Sequence, residues 1–131
     1  VGRLTQERDF AAKAEALLKT FSNDISAAAS AFPQALMARD FAMGPANEIV
    51  IAGGSQDPEL SLFLRQIYRP FLPNKVVAFH PAGEEAAEIE RLVPFLKEQK
   101  MLGGRTTIYV CENYACSLPV TSVEELSKLL E

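Results

Sequence analysis

Residues 48–54, EIVIAGG, constrain this chain more than any other stretch. Ile49, Val50, Ile51 and Ala52 form an unbroken apolar run of strand length. A half-exposed strand alternates apolar and polar side chains, so a continuous run fits a strand covered on both faces. Gly53-Gly54 then turn the chain toward Asp57-Pro58, where Asp57 can cap a helix and Pro58 fits its first turn. The segment therefore belongs in the middle of a sheet with helices on either side.

Two further runs read as its neighbours, Lys75–His80 and Arg105–Cys111. Between the first two lies a helix with Leu60, Phe63, Leu64 and Ile67 on one side, ended by Arg69-Pro70. A second helix follows from about Glu84, with Glu84, Glu85, Glu88 and Glu90 outside, and Pro94 kinks it or opens a new turn. After Arg105–Cys111, residues 112–118 form a loop or a short ribbon. Thr121 with Glu124, or Ser122 with Glu125, then has the capping-box spacing for a last helix carrying Val123, Leu126, Leu129 and Leu130. Alternating strands and helices predict an α/β fold: a three-stranded parallel sheet in the order 2-1-3, joined by right-handed crossovers.

The first third differs in character. Phe10, Ala11, Ala14, Leu17, Leu18 and Phe21 recur at helical spacing, and Ser22-Asn23-Asp24 breaks or restarts the helix. Pro33 opens another helix and Gly44-Pro45 closes it. Residues 1–45 are thus a helical segment of two or three helices, expected to cover the sheet face that the later helices leave bare, and residues 46–131 are the α/β part.

The net charge is −4, with Lys and Arg scattered from Arg3 to Lys128, which argues against a nucleic-acid partner. No apolar run approaches the ~20 residues of a membrane helix, so no membrane partner is expected. A start at Val1-Gly2-Arg3 points to a piece of a longer polypeptide. Two cysteines are too few for a disulfide framework, and a reducing cytoplasm is the expected setting.

Three places invite a chemical reading. Gly53, Gly54 and Ser55 lead into a helix start, where a phosphate could bind. The pattern is neither a dinucleotide fingerprint nor a P-loop, and Asp57 and Glu59 put negative charge there, so a plain turn is the simpler reading. Cys111 and Cys116 are spaced wrongly for a C-x-x-C redox motif. Buried or partly buried free thiols are the plain reading, with a reversible redox pair as the alternative. His80, the single histidine, ends the second strand, at the edge where ligands of parallel sheets gather. No nucleophile motif and no obvious carboxylate accompanies it, so it reads as structural or solvated. Gly53, Gly54, Ser55 and His80 together make a weaker small-molecule candidate. No catalytic residue, metal site or cofactor is assigned.

The run TTIYVCENYACSLPVTSVEELSKLL, residues 106–130, resembles the C-terminal end of the large thioredoxin-domain-containing proteins related to spermatogenesis-associated protein 20. The matching positions are Tyr109, Val110, Cys111, Tyr114, Cys116, Pro119, Val120 and Thr121, and residues 40–45 and 48–51 resemble that family's lead-in. The resemblance implies a parent with a thioredoxin-like domain, an epimerase-like α/α barrel whose last helices include residues 1–45, and this tail. Neither the C-x-x-C motif nor the barrel's cavity-lining segments occur here, so no activity is carried over. The resemblance implies an accessory or interaction domain whose partners are the remaining domains of its parent.

Overall fold

The computed structural model describes residues 2–112 and 115–130; Tyr114, one of the positions that carry the resemblance, lies outside them. Among the described residues are seven helices: α1 Gly2–Thr5, α2 Arg8–Thr20, α3 Ser22–Ala27, α4 Pro33–Met43, α5 Leu60–Tyr68, α6 Glu85–Leu92 and α7 Val123–Leu129. The strands are β1 Asn47–Gly53, β2 Lys75–Pro81, β3 Thr107–Glu112 and β4 Ala115–Cys116. They form one sheet in the order β2-β1-β3-β4.

β1 lies between two neighbours, and every one of its residues after Asn47 is buried. Successive side chains of a strand point to opposite faces. Ile49 and Ile51 therefore share a face with their register partners Val110 and Ile108, and on it they meet Phe63 and Ile67 of α5, Leu126 of α7 and Leu130. That apolar layer is the core. The opposite face carries Glu48, Val50 and Ala52, paired in register with Val76, Ala78 and His80.

The sheet departs from the three-stranded parallel expectation. Only β1 and β2 are parallel; β3 runs antiparallel to β1, and β4 antiparallel to β3. The cause lies in the chain between β2 and β3. A parallel strand requires a crossover that carries the chain back along the full strand length. Here α6 ends at Leu92, Val93 leaves helical angles, and Pro94 opens a short 3-10 turn, Pro94–Glu98. Instead of kinking a continuing helix, Pro94 reverses the chain to the sheet edge it had left. The Gln99 carbonyl ends 2.5 Å from Nδ1 of His80, near the end of β2. Thr107 then enters the sheet opposite Ala52, at the far end of β1, and β3 must run the other way.

Local signals elsewhere agree with the sequence. α4 begins on Pro33 and stops at Gly44. Ser122 caps α7 by accepting a bond from the Glu125 amide, while the Glu125 carboxylate reaches the Thr121 amide. The Asp57 carboxylate accepts from the Glu59 amide, as a cap does, although helical geometry starts only at Leu60.

The leading helices cover less of the sheet than expected. No residue of α1, α2 or α4 is buried. They are tied down at one corner instead: Nη1 of Arg3 lies 2.6 Å from Oε1 of the buried Glu48, and the same guanidinium sits 5.5 Å from the centre of the Phe41 ring. Asn74 donates to Asp40 at 2.9 Å.

Gly53 is required by close approach. A Cβ there would stand 2.5 Å from Oγ1 of Thr106 and 3.2 Å from its methyl. Gly53→Ala is expected to lower folding stability by roughly 1–3 kcal/mol, the usual range for overpacking, as measured by urea denaturation; a neutral effect would mean that Thr106 moves aside freely.

Candidate functional site

An open cleft of about 310 Å³ lies beyond the ends of β1 and β2. Ala52, His80 and Pro81 form its base, Ala82, Gly83, Ala86 and Glu90 one side, and Lys100 and Met101 the other. The chain reversal at Pro94 contributes to it, because it brings Lys100 and Met101 back beside the residues that leave β2.

His80 is buried, at 5% exposure, and both ring nitrogens are engaged. Nδ1 meets the Gln99 carbonyl at 2.5 Å and Nε2 meets Oε1 of Glu90 at 3.0 Å. A carbonyl oxygen only accepts, so Nδ1 carries a proton and donates it. The other nitrogen meets the Glu90 carboxylate, so ring and carboxylate form a fixed hydrogen-bonded dyad. Glu90 keeps 23% of its side chain exposed against 6% for His80, so the solvent-accessible member of the dyad is Glu90.

This corrects the reading of His80 as lacking a carboxylate partner and of Glu90 as part of a solvated face. Glu84, Glu85 and Glu88 are exposed as expected, but Glu90 is turned inward. The available signal was its place four residues after Ala86: positions i and i+4 share a helix face, and both line the cleft.

The proposed grouping of Gly53, Gly54, Ser55 and His80 is not assembled as a lining. Ala52 and His80 line the cleft, whereas Gly53, Gly54 and Ser55 of the glycine loop are not among its lining residues. That loop is braced from β3's lead-in: the Thr106 hydroxyl donates to Asp57, whose other oxygen accepts from the Glu59 amide. These bonds, the Thr106 hydroxyl first, hold the Asp57 carboxyl below its ordinary value of 3.8. A depressed carboxyl supplies stability that is complete above the ordinary value and fades as pH falls through the folded one. The melting temperature of the protein is therefore expected to decline below about pH 4, and Asp57→Asn should flatten that part of the profile; identical profiles would count against the brace.

Cys111 and Cys116 are not free thiols. They face each other across the β3–β4 ribbon and form a disulfide, with Cα atoms 3.8 Å apart. The spacing of five is wrong for a helical redox motif but brings two residues opposite one another once the chain doubles back. Cys111 is buried at 3% exposure and Cys116 is exposed. Among the described residues, no three histidine, cysteine or acidic side chains converge to hold a metal ion.

A mixed four-stranded sheet with flanking helices defines the class, an α/β fold. Comparison with known proteins identifies the relation. The chain is homologous to spermatogenesis-associated protein 20 over nearly its whole length. It is 32% identical to the rat protein across 127 residues, 97% of this chain. The human protein is likewise 32% identical and the mouse protein 31% identical, each across 96% of this chain. The chain spans about 16% of the length of these relatives. No protein-family model matches it. No solved structure matches it either.

Proposed function

We propose that this chain is an accessory, interaction domain of a larger thioredoxin-domain-containing protein of the cytoplasm, with no catalytic activity of its own. In this reading residues 1–45 end the parent's barrel, residues 46–131 form its tail, and the partners are the parent's other domains. One observation carries the proposal. Leu17, Leu18, Phe21, Ile25, Phe32 and Ala35 line an apolar groove of about 260 Å³ on the helical segment. Phe10, Leu36, Met37 and Met43 are exposed on the same segment. Apolar surface gathered in this way marks a site where another surface docks. The relatives are about six times longer than the matched region, so a cover of the same polypeptide is at hand.

The remainder of the parent, expressed separately, should bind this chain, and Leu17→Asp with Phe21→Asp should abolish binding while leaving the circular dichroism unchanged. The isolated chain should reduce no insulin disulfides. Binding that survives both aspartates, or measurable reduction, would refute the proposal.

The bonded cysteines favour a second reading, a redox-responsive ribbon. A dithiol thiolate would attack the Cys116 sulfur, forming a mixed disulfide and releasing Cys111 as a thiolate. The second thiol of the reductant would then free Cys116, leaving the reductant oxidised. Mild dithiol treatment of native protein should therefore yield two alkylatable thiols with the fold retained. A bond reducible only after denaturation would dismiss this reading.

A further inference from the structure

The cleft beside His80 has a composition that specifies a ligand. Its surface is mainly apolar, supplied by Ala52, Ala82, Ala86 and Met101. Three ionisable residues line it: His80, Glu90 and Lys100. His80 has no bonding capacity left, since the Gln99 carbonyl and Glu90 occupy both nitrogens. Glu90 gives His80 only Oε1, and its second oxygen has no protein partner among the described residues. Among the described residues Lys100 makes no ion pair; its backbone carbonyl accepts from the Tyr109 hydroxyl. The cleft thus offers a carboxylate oxygen that His80 does not use, on a residue held in place through His80, and a lysine that forms no ion pair among the described residues, in a lining that is otherwise mainly apolar.

We propose that this cleft binds a small zwitterion of the amino-acid type. The ligand's ammonium donates to Glu90, its carboxylate meets Lys100, and its apolar side chain lies over Ala52, Ala86 and Met101. Size agrees with this choice. About 310 Å³ is at the lower end of ligand sites, which run from ~300 to ~1,000 Å³, so a nucleotide would not be enclosed. A simple amine would leave Lys100 unanswered and place like charges together, whereas a simple carboxylate would face the open oxygen of Glu90. His80 acts as a positioning residue. The site shares no residue with the groove on the helical segment, so its test is independent of the docking proposal.

Amide chemical shifts of the chain, titrated with leucine, isoamylamine and 4-methylvaleric acid, test the assignment. Leucine should move the amides of Ala82, Gly83, Ala86 and Met101 to saturation, and the other two should bind at least tenfold more weakly. Glu90→Gln, checked for folding by circular dichroism, should weaken leucine at least tenfold, as expected for loss of a charge-assisted bond. Lys100→Ala should weaken it several-fold and remove the preference over the amine. Overturning results are an absence of shifts around the cleft with leucine, an amine bound as tightly as leucine, or unchanged leucine binding by Glu90→Gln.

Discussion

Phe63→Ala is expected to remove about 3–5 kcal/mol of folding stability, the range for truncating a buried aromatic ring. The ring projects from α5 at 1% exposure into the layer formed by Ile49, Ile51, Ile108 and Val110, with Leu126 of α7 beside it. α5 and α7 cover a single sheet face, so no second layer on that side can collapse into the space. A domain of this size holds only about 5–15 kcal/mol in total, and the loss is therefore a large share of what keeps it folded. Leu62→Ala is the control: Leu62 is next in sequence but 48% exposed, and its removal should cost well under 1 kcal/mol. Urea denaturation of both variants, with an unchanged dependence on denaturant, checks the contrast. Equal effects would mean that α5 presents a different face to the sheet.

The second large effect concerns His80. His80→Ala deletes a buried ring and both of its hydrogen bonds, so the Gln99 carbonyl loses its donor and Glu90 its partner. A buried polar group left unsatisfied costs about 1–3 kcal/mol, and the vacated volume adds to that. Glu90→Gln, in contrast, keeps a side-chain amide whose N–H can donate to Nε2 and needs no repacking, so its cost should stay below about 1 kcal/mol. The difference between the two variants measures how far the fold depends on the ring as a brace between β2 and the returning chain. If His80→Ala were as mild as Glu90→Gln, water would be replacing the ring.

What the sequence revealed and what it withheld have separate physical reasons. β1 was legible because a strand buried on both faces must be largely apolar, as Ile49–Ala52 are, and its central place in the order 2-1-3 follows from that. Pro33, Gly44 and Ser122 were legible because helix ends are governed by local chemistry. Strand direction was not, because it depends on how far an excursion carries the chain. The same residues at α6 and Pro94 serve a crossover or a reversal. The disulfide was missed for a related reason: a spacing of five has meaning only once the ribbon is known to fold back. The partner of His80 was hidden among four glutamates of which only Glu90 points inward. The apolar stripe of α2 was plain in the sequence, yet its exposure could not be read there, since periodicity says that a face seeks cover and not whether the chain supplies it.

The hairpin-like path from Pro81 to Thr106 has an evolutionary corollary. Because it departs from and rejoins one rim of the sheet, its apex around Leu92, which is 54% exposed, is uncoupled from strand pairing. Lengthening a surface loop carries only a slowly growing entropic penalty. Homologues can therefore vary the tip in length while β1, β2 and β3 keep their alignment, reshaping one wall of the cleft without renegotiating the rest of the fold.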